Sequence, residues 1–208
     1  MGSEMCIRDS YRRTLEAYHE LLTKENPIEL VLNAAKRQLD LEYAKIANLL
    51  NLEWLTCVEE KGVWFTETGL KHQEDFYANE SDPNVKQVVI ISDALRYEVA
   101  MELMQRLAKE KHMATIEAYQ AMLPTETKFC KPSLLPHHSL ELFGTDMAVD
   151  GVVLTTTEQR TAHLNKYRDG GICVRYEDVM NGDQTSTREL FKRPLVYIFH
   201  DIIDEASH

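Results

Sequence analysis

The spacing of hydrophobic residues changes along the chain, and this change divides the sequence into two parts. In the first part, apolar residues recur every three or four positions, which is typical of amphipathic helices. Ser10 can cap a helix over 11–24, and a second helix is predicted over 27–56 with a break near Asp40. We therefore predict a helical N-terminal segment over 11–80.

Two stretches of this N-terminal part admit more than one interpretation. Residues 1–10 show neither an apolar signal region nor a helical period, so we treat them as a leader or sequence artefact and expect them to be disordered. The leucine-rich stripe over 27–56 is expected to pack within its own domain. A coiled coil with a partner protein is the alternative for that stripe.

A cluster of turn-forming residues at 79–84 separates the helical part from a second pattern. After this cluster, apolar runs of strand length alternate with amphipathic helical stretches. Strands are predicted at 88–92, 113–119, 147–154, 172–176 and 194–199, and helices at 95–111, 156–167 and 185–191. This alternation predicts an α/β fold over 85–208, a three-layer α/β/α sandwich.

The first predicted strand ends in a polar pair, Ser92 and Asp93. The run from Val88 to Ile91 is apolar at every position, which predicts a strand buried on both faces of a parallel sheet. Ligands of open α/β sheets bind at the carboxyl ends of the strands, where Asp93 would lie. The alternative is that Ser92 or Asp93 caps the following helix.

Three further residues could join Asp93 in a site. Thr127 follows the second predicted strand and Pro124, and a threonine hydroxyl becomes a useful nucleophile when a metal ion binds it. Asp204 and His208 are four residues apart, so one helical face could present both to Zn²⁺ or Mn²⁺. The alternatives are a turn residue and an exposed pair, but the order of these residues favours a two-metal phosphoryl-transfer site.

Composition narrows the classes of function. The net charge of −11 argues against a broad nucleic-acid-binding face and is compatible with a carboxylate-rich cation site. The four cysteines form no Cys-x-x-Cys pair, which favours reduced thiols in a cytoplasmic protein. No apolar run has the length of a membrane span, and the absence of a glycine-rich loop after the first strand disfavours dinucleotide binding.

At these motifs the sequence resembles a known family. Residues 89–98 (Val-Ile-Ile-Ser-Asp-Ala-Leu-Arg-Tyr-Glu) resemble the signature of PglZ proteins, and so do residues 123–127, 134–137 and 196–204. PglZ proteins belong to the alkaline phosphatase superfamily and act in BREX and Pgl bacteriophage-defence systems. The resemblance covers 85–208, and the helical segment before it is similar to the region that precedes this domain in type A members.

The resemblance implies a role for each candidate residue. Asp93 matches the metal-binding aspartate of the first strand, and Thr127 matches the nucleophile that also ligates that metal. Asp204 and His208 resemble the pair that binds the second metal. The implied cofactors are two Zn²⁺ or Mn²⁺ ions in the full-length protein. The implied partners are other BREX proteins in the bacterial cytoplasm and a phosphoester or nucleic-acid-derived substrate.

The sequence also departs from the family pattern. Cys130 and Lys131 stand where family members usually carry Gly-Met, and Asp201 stands where an asparagine is common. The remaining ligands of the superfamily are expected after His208, so we expect the domain to be truncated. The resulting hypothesis is a fragment of a metal-dependent phosphatase or phosphodiesterase. The alternative is a non-catalytic scaffold that uses the same fold to bind other defence proteins.

Overall fold

The computed structural model describes residues 2–22, 28–61 and 69–206. Within these ranges the helices are α1 (Gly2–Leu22), α2 (Glu29–Lys61), α3 (Phe76–Glu80), α4 (Tyr97–Lys109), α5 (Thr127–Ser133), α6 (Thr157–Tyr167), α7 (Tyr176–Asn181), α8 (Gln184–Leu190) and α9 (Ile202–Glu205). The strands are β1 (Lys71–His72), β2 (Gln87–Ser92), β3 (Tyr119–Gln120), β4 (Leu140–Phe143), β5 (Asp146–Val149), β6 (Val152–Val153), β7 (Ile172–Arg175) and β8 (Leu195–His200). The mixed α/β class and the helical N-terminal segment are confirmed.

Backbone contacts divide the chain into two units. One unit comprises residues 1–66 and 97–114, and the other comprises residues 67–96 and 115–208. In this division α4 belongs to the unit of α1 and α2. A salt bridge of 2.6 Å between Arg12 on α1 and Glu102 on α4 supports this grouping.

Helix α1 begins well before the predicted start. We expected residues 1–10 to be disordered, but the structure describes residues 2–10 as the first part of α1. Asp9 forms ion pairs with Arg12 and Arg13, one helical turn later, at 3.1 and 2.9 Å. Pairs at this spacing stabilise a helix. Because α1 begins at Gly2, Ser10 lies inside the helix and does not cap it.

Helix α2 is continuous over 33 residues, so the predicted break near Asp40 is wrong. Asp40 accepts hydrogen bonds from Lys36 one turn earlier and from the Tyr11 hydroxyl of α1, at 2.6 and 2.8 Å. The tyrosine ring of Tyr11 also stacks on Tyr43 with 4.0 Å between centroids. These contacts stabilise α2 at Asp40, a residue type that favours helix ends.

The leucine-rich stripe of α2 packs only in part within its unit. Leu32 and Leu39 line a cavity against α1. Other apolar side chains of α2 are exposed, among them Leu30, Leu49 and Leu55. The coiled-coil alternative therefore stays open for the exposed face.

The sheet of the second unit is parallel and has the order β2-β8-β7. The residues Leu195–Phe199 of the central strand β8 are all buried. The neighbouring strand β2 was predicted to be buried on both faces. This prediction is wrong, because Val88 and Ile90 are 48% and 61% exposed. Strand β8 instead has the buried position, since it pairs on both sides.

The register between β2 and β8 fixes the edge where the candidate residues lie. Val89 pairs with Tyr197, and Ser92 pairs with His200, so both strands end at the same level. Their carboxyl ends are adjacent because the strands are parallel. Helix α6 packs on the neighbouring strand β7, and its Leu164 is fully buried in the core.

Two short sheets were predicted incompletely. Strands β4, β5 and β6 form an antiparallel sheet in which β4 was not predicted. Strands β5 and β6 correspond to the strand predicted at 147–154, which the turn at Asp150 and Gly151 divides in two. The strand predicted at 113–119 is wrong except for its last residue. In the described residues only Tyr119 and Gln120 of this region pair with another strand, β1, and Met113 is fully exposed.

Candidate active site

Asp93 and Thr127 meet at the carboxyl edge of the parallel sheet. The backbone N–H of Asp93 donates to the carbonyl of His200 at 2.9 Å, which continues the strand pairing one residue past Ser92. Thr127 is the first residue of α5, and its hydroxyl donates to Asp93 Oδ2 at 3.1 Å. The structure thus joins two residues that are 34 positions apart in the sequence.

The turn after β2 directs Asp93 away from a capping role. Ala94 has a φ of 59°, in the left-handed region that non-glycine residues rarely adopt, and its N–H donates to Asp93 Oδ1 at 3.0 Å. Helix α4 begins only at Tyr97, and Ser92 Oγ instead shares a hydrogen bond of 2.8 Å with Nδ1 of His200. The capping interpretations of Ser92 and Asp93 are therefore wrong.

A lysine joins the two candidate residues. Lys131 lies one turn after Thr127 on α5, and its ammonium is 3.0 Å from Asp93 Oδ2 and 2.5 Å from Asp201 Oδ1. Burial alone would raise the pKa of Asp93, but the hydrogen bond and the charge of Lys131 hold that pKa below its usual value. Asp93 is therefore a carboxylate at neutral pH.

A cleft of about 650 Å³ opens beside this cluster. Its lining includes Thr127, the acids Asp146 and Asp201, and four cationic side chains: Lys128, Lys131, Arg160 and Arg175. Arg160 lies over the ring of Phe199, 4.6 Å from the ring centroid, and its Nε donates to the carbonyl of Leu154 at 3.3 Å. The excess of cations over acids suits an anionic ligand.

Sequence reasoning missed most of these cations. Lys131 could have been found, because a residue four positions after Thr127 lies on the same face of a helix. Arg160 on α6 and Arg175 on β7 carry no comparable signal, since only the folded sheet brings them to the cleft. In the sequence, Asp201 was noted only because family members commonly have an asparagine at this position. In the structure, Asp201 forms an ion pair with Lys131.

The residues predicted to bind the second metal are only partly described. Asp204 lies in α9, half-buried, three residues after Asp201 at the same sheet edge. His208 lies outside the described residues, so the predicted pair of Asp204 and His208 stays a prediction.

The donor set around Asp93 does not fit a metal ion in the observed arrangement. Across residues 2–22, 28–61 and 69–206, no three His, Cys, Asp or Glu side chains lie close enough together to hold one. Asp93 Oδ2, the oxygen that accepts from Thr127, also contacts the ammonium of Lys131. A metal ion at this oxygen would have to displace that ammonium.

Comparisons with known proteins identify the family. Residues 75–208 match the family described as the BREX system PglZ alkaline phosphatase-like domain. The chain belongs to the PglZ family. The PglZ resemblance predicted from the motifs around Asp93, Thr127 and Asp204 is confirmed. Proteins of the alkaline phosphatase-like family generally use divalent metals. The residues of this chain that the structure describes form no metal site.

Two curated PglZ relatives are much longer than this chain. It is 30% identical to the alkaline phosphatase-like protein PglZ of Bacillus cereus (strain H3081.97) over 207 residues, which cover 95% of this chain and 24% of that protein. It is 33% identical to the alkaline phosphatase-like protein BrxZ of Escherichia coli O9:H4 (strain HS) over 151 residues, 67% of this chain and 17% of that protein. No solved structure matches. The chain thus spans about a quarter or less of these relatives.

None of the helices that the structure describes combines the length and the apolar character needed to cross a membrane.

Proposed function

We propose that this chain carries the nucleophile of a phosphoric ester hydrolase of a BREX defence system. The observation that supports this function is the contact between Thr127 and Asp93 beside a cleft lined by cations. Phosphoryl transfer needs a positioned nucleophile and positive charge around the transferred group. The cleft offers both within one unit of the fold.

The residues of the cleft suggest how a phosphoester reacts. Thr127 Oγ attacks phosphorus as its proton passes to Asp93, whose pKa Lys131 holds below its usual value. The bond from phosphorus to the leaving oxygen breaks, and that oxygen takes up the proton from Asp93 through solvent and leaves as the alcohol. The product is a phosphothreonine, which water then hydrolyses to regenerate the hydroxyl. The guanidinium of Arg160 and the ammonium of Lys128 bind the phosphoryl oxygens.

The metal content of the protein is part of the proposal. The family pattern implies two Zn²⁺ or Mn²⁺ ions, one at Asp93 and Thr127 and one at Asp204 and His208. In this chain the ammonium of Lys131 already contacts Asp93 at the first position, so we propose a metal ion at the second position alone. The carboxylate oxygens of Asp204 are ligands of a kind that such ions bind. The proposed partners are other BREX proteins in the bacterial cytoplasm, and the proposed substrate is a phosphoester, including those derived from nucleic acid.

We expect Thr127→Ala to lower hydrolysis of p-nitrophenyl phosphate and bis-p-nitrophenyl phosphate on the order of 10³-fold or more, because it removes the nucleophile. Asp93→Asn should lower it by about 10²-fold, since a general base contributes this much. The assay measures kcat on the full-length protein that contains this chain. The matched control is Thr125→Ala. Thr125 lies two residues before Thr127, is exposed and does not line the cleft.

Circular dichroism of each variant must first match the parent spectrum. Undiminished turnover by folded Thr127→Ala protein would contradict the nucleophile role, and full activity of Asp93→Asn would contradict the role of the base.

The second candidate function is a non-catalytic scaffold that binds other defence proteins. The exposed apolar side chains of α2, among them Leu30 and Leu49, favour it. Phage restriction in bacteria that carry the full-length variants separates the two functions. A scaffold keeps full restriction with Thr127→Ala, whereas a hydrolase loses it.

A further inference from the structure

Lys131 is held more tightly than the other lysine of its helix. Its side chain is only 13% exposed, and the two carboxylates that it joins, Asp93 and Asp201, are 21% and 33% exposed. Lys128, three residues earlier on α5, instead pairs locally with Glu126 at 3.0 Å and is 44% exposed. The position between Asp93 and Asp201 is therefore a half-buried cation site that a protein side chain already fills.

The register of the sheet creates this position. Asp93 and Asp201 each follow the last residue of adjacent parallel strands, β2 and β8, so their carboxylates project from the same edge. Two carboxylates at such short range repel each other unless a cation lies between them. Helix α5 supplies that cation from the turn after Thr127, because residues i and i+4 share a helical face.

We propose that Lys131 replaces a divalent ion between Asp93 and Asp201, as a cation that the chain itself carries. This inference rests on the proposed function, since it specifies how positive charge reaches the Thr127 site. The ammonium balances the charges of Asp93 and Asp201 beside the Thr127 hydroxyl without a bound metal. A divalent ion can enter this position only by displacing the lysine, so the chain binds such ions weakly there.

Calorimetric titration of the 208-residue chain with Mn²⁺ and with Zn²⁺ tests the proposal. Lys131→Met removes the charge and keeps an unbranched side chain of similar length, so it should gain one site for a divalent ion, at least about tenfold tighter than any site of the parent at this edge. The gained site should disappear when Asp93→Asn is added. Lys131→Arg keeps the charge and should bind as weakly as the parent.

Lys128→Met is the matched control, since Lys128 lies on the same helix and lines the same cleft but pairs with Glu126. It should leave the affinity for both ions unchanged. Equal affinity of the parent and Lys131→Met for either ion would overturn the proposal, and so would the absence of any gained site in folded Lys131→Met protein. If Lys131→Met does not fold, Lys131→Arg still tests the proposal. Metal binding by Lys131→Arg that is tighter than binding by the parent would overturn the proposal as well.

The titration measures binding and not turnover, so its outcome is separable from that of the proposed function. A gained site in Lys131→Met together with full activity of Thr127→Ala would refute the nucleophile role alone. Loss of activity in Thr127→Ala together with equal metal affinities would refute the role of Lys131 alone.

Discussion

At the scale of single residues, Asp150 is a carboxylate of the second unit that accepts three hydrogen bonds. It lies in the tight turn between β5 and β6 with a φ of 49°, a conformation that aspartate and asparagine tolerate. Its Oδ1 accepts from the N–H groups of His138 and Ser139 at 2.8 and 2.9 Å, and the Tyr167 hydroxyl donates to Oδ2. Burial would raise the pKa of Asp150, but these bonds outweigh it and hold that pKa well below its usual range.

This carboxylate makes stability depend on acid pH. Because the pKa of Asp150 is lower in the folded state, its stabilising contribution is present above the unfolded pKa, about 4, and is lost as pH falls towards the folded pKa. We expect Asp150→Asn to lower the free energy of unfolding by about 2 kcal/mol at pH 7. The difference in unfolding free energy between the parent and Asp150→Asn should shrink below pH 4. Urea denaturation at several pH values measures this difference.

Asp146→Asn is the control, because Asp146 is an exposed carboxylate on β5, the strand that directly precedes Asp150. A difference between parent and Asp150→Asn that stays constant from pH 7 to pH 3 would contradict this account.

At the scale of elements, the start of α6 was predictable, whereas the cap at Ser10 and the short strands were not. The sequence places the start of α6 at residue 156, and the structure has a capping box there: Thr156 accepts from the N–H of Gln159, and the Gln159 side chain accepts from the N–H of Thr156. Strand β1 has only two residues, which is too short for any period. The early part of α1 contains the ion pairs of Asp9, which hydrophobic spacing does not indicate.

The cap of α6 supports a prediction at this scale. Thr156→Ala removes the oxygen that accepts from Gln159, so it should lower the free energy of unfolding by about 1 kcal/mol. Thermal and urea unfolding measure the change. Lys166→Ala, an exposed change in the last turn of the same helix, should stay within about 0.5 kcal/mol of the parent. Equal effects of the two substitutions would argue that the cap contributes nothing.

At the scale of the whole molecule, the sequence predicted that Asp93 and Thr127 lie at one sheet edge but not which groups surround them. Asp93 and Thr127 could be proposed together because polar residues after buried strands gather at one sheet edge. The pairing of Lys131 with Asp201 depends on the register of β8 and on the position of α5, which hydrophobic spacing does not specify. Arg160 reaches the cleft only because α6 packs on β7.

The distribution of thiols gives a prediction for the folded chain. Cys57, Cys130 and Cys173 are free thiols, in line with the expectation of reduced cysteines for this part of the chain. Burial raises the pKa of Cys173 to about 12, whereas Cys57 is exposed on α2. We expect iodoacetamide to alkylate Cys57 in the native protein and Cys173 only after unfolding in guanidinium chloride, because the thiolate is the reactive form. Peptide mass spectrometry measures both, and rapid native labelling of Cys173 would contradict its burial.

The pairing of Ser92 with His200 has a consequence for how this protein tolerates insertions and deletions. Side chains alternate between the two faces of a strand, so one residue added within β8 would turn its buried positions towards the opposite face and shift Asp201 relative to Asp93. One residue added near Gly182, between α7 and α8, leaves that pairing intact. Length variation is therefore expected in the connections of this unit, while the lengths of β2 and β8 stay constant.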